Sequence, residues 1–289
     1  MKVCGFSFVR NAVKFSYPVV EAVRSVLPLC DRFIMSVGNS EDDTLDLIRS
    51  IDSDKLSIVE SVWDDRKRRN GEVLAEETNK VFDRIPEEYD WAVYIQADEV
   101  MHEKYHPVLA EAMAEWQDHP EVEGLLFKYL HFFGSFDYLA DSRSWYRNEI
   151  RIVRNDKKIR SYKDAQGFRL GGRKLNVKAV DAYMYHYGWV RPPEIMQKKH
   201  VNFNKLYHSD EWVDRKINHT HLYDYSKIDS ISRFTDTHPL VMQERIRKLN
   251  WQVELDANKK SYRLADRMLH WVEDRTGKRL FEYKNYNLI

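Results

Sequence analysis

The sequence predicts an α/β fold: a mostly parallel, Rossmann-like sheet flanked by helices, with a helical C-terminal extension. Three observations carry this expectation. Strand-like and helix-like segments alternate through the first hundred residues. Each strand-like segment there ends in a polar cluster. From about Pro192 onward the pattern turns amphipathic and helical.

The elements follow in order. "KVCGFSFV" is a short β-rich run, and "SYPVVEAVRSVL" reads as a helix with Ser16 as N-cap and Pro18 in the first turn. Val19, Ala22, Val23 and Val26 share one face of it. "RFIMSVG" is a second strand; "SEDDTLDLIRSI" is a helix with acidic residues where the macrodipole favours them. "KLSIVES" is the third strand, and "GEVLAEETNKVFDRI" a helix with Leu74, Thr78, Val81 and Phe82 on one side. "DWAVYIQADE" is the fourth strand, followed after a few residues by the helix "EKYHPVLAEAMAEWQ". "EGLLFKYLHFFGSF", "RNEIRIVRN" and "KLNVKAVDAYMYHYGW" add further strands. Helices are expected in 192–208, 238–256 and 259–277, and a short strand near the C-terminal end. No repeat or linker separates independent units, so residues 1–191 read as a binding and catalytic domain and 192–289 as an extension packed on it.

Composition bounds the function. The 289 residues are 43% hydrophobic and 32% charged, an ordinary soluble composition with ample material for a core. Lys plus Arg equals Asp plus Glu, which argues against nucleic acid as a partner. Cys4 and Cys30 form no disulfide framework or metal spacing. No apolar run spans a bilayer and the start lacks a signal-peptide h-region, so a cytoplasmic protein is expected, with the inner membrane face as one placement.

In an open parallel sheet, ligands bind beyond the carboxyl ends of the strands. Arg10-Asn11, Gly38-Asn39-Ser40, Trp63-Asp64-Asp65 and Ala97-Asp98-Glu99 therefore belong to one edge. The runs "FVRNA", "VGNSEDDTLDLI" and "YIQADEV" resemble the family-2 glycosyltransferases of the GT-A fold, closely over the first half of the chain and loosely over the second. That resemblance implies transfer of a sugar from a nucleotide-sugar, UDP- or GDP-linked, to a glycan, lipid-linked or other hydroxyl acceptor, with inversion at the anomeric carbon. Asn11, Asn39 and Asp42 would line the nucleotide pocket, and Asp98 would hold a divalent cation, Mn or Mg. The sequence departs from the family pattern at three places. Gln96 stands for the first Asp of the motif, Val37 or Gly38 for a base-binding acid, and Ala12 for a Glu. A Gln carbonyl is a weaker ligand for a hard cation than a carboxylate.

Sugar transfer requires charge stabilisation at the leaving diphosphate, a base for the acceptor hydroxyl and donors for the phosphates. Asp98 serves the first; its bland alternative, a helix N-cap, fits poorly because the next helix begins later. Asp164 is the expected base and Glu149 the second candidate, although Asp164 reads equally as a solvated loop residue beside Lys163. In "YMYHYGWVRPP", His186 would complete the metal shell and Arg191 grip phosphate; His186 reads equally as a packed core histidine. Arg10 and Gln96 sit on the same edge, and Arg69 and Asn70 open a helix there. Tyr129, His131, Trp145 and Tyr146 are candidates for stacking on sugar, with core packing the simpler reading. The basic, aromatic C-terminal helices allow peripheral membrane contact or a homodimer, a packed cap being the simpler reading. A nucleotidyltransferase would need glycines after the first strand, which "FVRNAVKF" lacks. A noncatalytic nucleotide- or glycan-binding protein on the same fold is the remaining alternative.

Overall fold

The computed structural model describes the whole chain except residues 65, 68, 69, 218, 219, 259 and 263, and the side chains of 264, 265 and 274. Strands β1 (Val3–Val9), β2 (Arg32–Gly38), β3 (Leu56–Ser61) and β4 (Trp91–Tyr94) alternate with helices α1 (Val19–Val26), α2 (Thr44–Arg49) and α3 (Glu72–Phe82). These strands pair in parallel in the order β3-β2-β1-β4. β1, β2 and β4 read as largely apolar runs because both their faces are covered, whereas the edge strand β3 is only partly buried. Val3, Phe33, Met35, Val37, Trp91 and Val93 pack in a core with α1. Phe6, Ile34, Ala92 and Tyr94 pack on the other side with Val81 and Phe82 of α3.

Past β4 the sheet becomes mixed. After β5 (Glu99–Met101) and α4 (His106–Glu115) come β6 (Gly124–Phe133), β7 (Tyr138–Ala140) and β8 (Asn148–Arg154). β8 runs antiparallel to both β4 and β6. β9 (Ile159–Ser161), β10 (Phe168–Leu170) and β11 (Arg173–Lys174) form a small separate sheet. The long β12 (Asn176–Trp189) is parallel to β6 and antiparallel to β5. These directions deliver the start of β8, with Glu149, and the end of β12, with His186, to the edge where β1–β4 terminate.

The C-terminal part carries α5 (Pro193–Asn204), α6 (Asp210–Lys216), β13 (Ile231–Arg233), α7 (Gln243–Arg247), α8 (Leu264–Thr276) and β14 (Asn287–Leu288). It is less helical than its patterning implies. β13 pairs with β7, β14 pairs with β12, and 248–263 contains no regular element among its described residues. Trp251 shows why: its indole N–H donates to the Gly134 carbonyl at 3.0 Å, a tertiary contact taken in preference to a continued helix. Ser16, expected as an N-cap, instead has a left-handed backbone (φ 51°), and Pro18 precedes α1 without a side-chain cap. No described helix is long and apolar enough to cross a membrane.

Candidate active site

A cavity of about 480 Å³ opens where β1 and β4 end. The chain leaves β1 for β2 on one side and later returns to place β4 on the other. This is the switch point of the strand order, where two loops diverge and leave a crevice. Arg10 and Asn11 line it from β1, Trp63 and Asp64 from β3, and Gln96, Ala97 and Asp98 from β4. Glu149, Arg151, Asp164, His186 and Trp189 line the opposite side, and the α5 region covers it with Lys199, Phe203 and Tyr207.

Asn11 is buried in a left-handed conformation (φ 57°), and its side-chain oxygen accepts from the Glu41 N–H at 2.8 Å. It thereby ties the first loop to the second. Asn39 and Asp42 serve the same purpose and do not line the cavity. Asn39 Oδ1 accepts from the Trp63 N–H at 3.0 Å, and Asp42 Oδ2 from the Lys14 N–H at 2.6 Å. Both expected nucleotide-pocket residues thus act in this structure as ties between loops at the strand ends. Asn70 (φ 54°) is exposed outside the cavity, and Arg69 lies outside the described residues. Arg10 donates to the Asn39 carbonyl at 3.1 Å and lies over the Trp63 ring. Gln96 faces the cavity while its backbone N–H donates to Glu99.

Asp98 is the charged centre. Lys199 Nζ is 3.0 Å from its Oδ2, Arg191 3.9 Å from the same oxygen, and His186 Nε2 3.8 Å from Oδ1. Burial is the largest single influence and opposes ionisation of this carboxyl, but Lys199, His186 and Arg191 together outweigh it and hold Asp98 well below the usual carboxylate range. Arg191 is fully buried and donates to the carbonyls of Phe15, Tyr187 and Gly188. Expected to grip phosphate, it lies instead 3.9 Å from Asp98 Oδ2 and outside the cavity lining.

The histidine roles follow from one carbonyl. His131 Nε2 is 2.7 Å from the Tyr146 carbonyl, which can only accept, so His131 carries its proton there. Its Nδ1 then accepts from His186 Nδ1–H at 3.0 Å, which leaves His186 Nε2 as a lone-pair acceptor beside Asp98. Burial keeps both rings neutral, lowering His131 to about 3 and His186 to about 4. Gly188 is required by this packing: a Cβ there would lie 2.4 Å from His186 Nε2 and 3.1 Å from Asp98 Oδ2.

The two carboxylates proposed for acid–base work differ in setting. Asp164 Oδ2 accepts from the Tyr207 hydroxyl and Oδ1 from Gln166 Nε2, each at 2.7 Å. It sits between Lys163 and Ala165, both left-handed (φ 53° and 61°). Glu149 is buried with Oε2 unpartnered, and burial pushes its carboxyl up to about 8 against the opposing field of Arg151. Glu149 is thus largely neutral at pH 7, whereas both oxygens of Asp164 accept hydrogen bonds.

No family model and no curated protein matches the chain. Solved structures do. S. aureus TarS matches at 16% identity with a TM-score of 0.39, over 70% of this chain and 39% of TarS. TarS 1–349 in complex with UDP matches at 14% and 0.39, over 74% of this chain and 69% of that one. Glucosyl-3-phosphoglycerate synthase from Mycobacterium tuberculosis, in complex with Mn2+, UDP and glucosyl-3-phosphoglycerate, matches at 16% and 0.30, over 46% of this chain and 45% of that one. The chain thus spans well under half of the first of these TarS chains. Scores this low carry no inference about activity, which must come from the site itself.

The fold brings together the two expected metal ligands, Asp98 and His186, but their surroundings do not fit a resident divalent cation. Among the described residues no three His, Cys, Asp or Glu side chains converge. Glu99, the next carboxylate in the motif, is spent on Arg151, with Nε–Oε2 and Nη2–Oε1 both 2.8 Å. Asp98 itself already neutralises an ammonium and faces a guanidinium. A hard dication seeks several anionic or carbonyl oxygens, not one carboxylate already held by cations.

Lys199 and Tyr207 were not visible in the sequence as site residues. Both lie in a stretch that reads as an ordinary amphipathic helix with a solvated face. Trp63 belonged to an edge cluster, but its packing on Phe8 (ring centroids 5.6 Å apart) and against Gly38 shows only in three dimensions.

Proposed function

We propose that the protein is a glycosyltransferase that moves a sugar from a nucleoside-diphosphate donor to a hydroxyl acceptor. The observation that supports this best is the composition of the switch-point cavity. One side offers an aromatic ring, Trp63, beside Arg10 and Asp64; the centre offers Lys199 on Asp98; the far side offers Asp164. A base stacked on Trp63, a diphosphate near Lys199 and a sugar reaching toward Asp164 would use all three regions. His186 Nε2, an acceptor held in a fixed tautomer, is suited to a sugar hydroxyl. Tyr146, Trp189 and Phe203 offer aromatic faces to an acceptor.

The reaction is a single displacement. The acceptor oxygen forms a bond to the anomeric carbon as the bond to the diphosphate oxygen breaks, and its electron pair leaves with the diphosphate. Asp164 takes the acceptor proton, and the anomeric centre inverts. Gln166 and Tyr207 fix Asp164 for this step. Incubation with UDP- and GDP-sugars, followed by detection of released nucleoside diphosphate and the anomeric configuration of the product, tests the reading. Release with inversion supports it. A retained configuration would remove Asp164 from the role of simple base. Donor binding with no turnover over a broad acceptor panel would favour a noncatalytic binding protein, the reading that Gln96 at the head of the motif supports.

A further inference from the structure

We propose that the Lys199 ammonium itself supplies the positive charge at the leaving diphosphate, so that donor binding proceeds without a divalent cation. This rests on the donor reading above and concerns how the same site holds its phosphates. Lys199 projects from α5 to Asp98 and also donates to the Gly188 carbonyl at 2.7 Å. An ammonium has three donors, and two are thereby fixed in direction. The third remains for a ligand, on a side chain that lines the cavity.

The charge balance favours this assignment. A carboxylate cluster that receives a dication brings excess negative charge. Here the buried group around Asp98 is already positive, one carboxylate facing the Lys199 ammonium and the Arg191 guanidinium. A dication on Asp98 would share that carboxylate with the Lys199 ammonium on Oδ2 and sit beside two cations. A diphosphate needs no such rearrangement, because the surplus charge is already fixed where charge develops as the leaving group departs. Lys199 also lies 5.0 Å over the Tyr17 ring, and Arg191 4.8 Å, so the aromatic face helps hold both cations in place. The disposition of Gln96 is consistent: the first position of the motif brings no negative charge to the cavity.

The test is calorimetric titration of UDP, GDP and the corresponding nucleosides on the full chain, in EDTA and in Mn2+, for wild type, Lys199→Met and Lys199→Arg. Wild type is expected to bind one diphosphate equally, within about threefold, in EDTA and in Mn2+. Lys199→Met should weaken that diphosphate by roughly 10- to 100-fold, the loss of one charge-assisted hydrogen bond. It should leave the parent nucleoside unaffected, and Lys199→Arg should recover part of the loss. Diphosphate binding that requires Mn2+ and survives Lys199→Met would overturn the inference while leaving the donor reading intact. Equal weakening of diphosphate and nucleoside in Lys199→Met would also overturn it, showing a structural role. Failure of both diphosphates to bind wild type in either medium would overturn it together with the UDP- or GDP-linked donor reading.

Discussion

The Tyr207 hydroxyl donates to Asp164 Oδ2 at 2.7 Å, across a gap of forty-three residues in sequence. The residue before Tyr207, Leu206, accepts from the Gly71 N–H at 3.1 Å, so the segment after α5 is fastened both to the proposed base and to the start of α3. Tyr207→Phe removes the first of these ties and leaves the second. It is predicted to lower kcat about tenfold, with donor affinity changed less than about threefold, in a transfer assay paired with donor titration. An unchanged kcat would free Asp164 from dependence on Tyr207.

Trp63 is the proposed platform for the nucleobase. Trp63→Ala should weaken nucleoside and nucleoside diphosphate alike by roughly 5- to 150-fold, the range of one base–aromatic stack. Equal affinity in the variant would move the base elsewhere in the cavity.

Glu149 gives the fold a pH signature. Its folded-state value, about 8, lies above the ordinary 4.5, because burial favours the neutral acid. The folded state therefore binds this proton more tightly than the unfolded chain. The resulting stability is fully present below pH 4.5 and is lost as pH rises through about 8. Glu149→Gln should flatten this slope and stabilise the protein above pH 8 by on the order of 2–4 kcal/mol, read from urea unfolding between pH 5 and 9. An identical pH slope in the variant would show that Glu149 ionises normally.

The buried pair Arg151–Glu99 holds the floor of the site, with the Tyr129 hydroxyl donating to Glu99 at 2.7 Å. Removing one partner strands the other charge away from water. Arg151→Met should cost about 3–5 kcal/mol of stability, and Glu99→Gln added to it should return part of that loss. A loss under about 1 kcal/mol would mean that water reaches Glu99 in the variant.

The legible parts of this molecule are those fixed by local pattern. β1, β2 and β4 announce themselves as short apolar runs because both faces are buried, and the parallel order puts Arg10, Asn11, Gln96 and Asp98 on one edge. Asp98 and His186 were readable as partners, although 88 residues separate them, only through the resemblance that paired them. Asn39 and Asp42 occupy the expected loop yet accept from the backbone N–H groups of Trp63 and Lys14, since short polar side chains satisfy the N–H groups of neighbouring loops before they reach a ligand. Arg191 sits at the expected strand end but turns inward to three carbonyls. Lys199 gave no local sign, because a lysine on an amphipathic helix looks the same whether it meets solvent or a buried carboxylate.

Asp164 is the proposed base that deprotonates an acceptor attacking a nucleotide-sugar in this cavity. Its most direct test is the rate of nucleoside diphosphate release by wild type, Asp164→Asn and Glu149→Gln, with donor affinity measured for each. Asp164→Asn is expected to lose at least about 100-fold in kcat with donor binding retained, and Glu149→Gln much less. Undiminished release by Asp164→Asn, or a larger loss in Glu149→Gln, would contradict it.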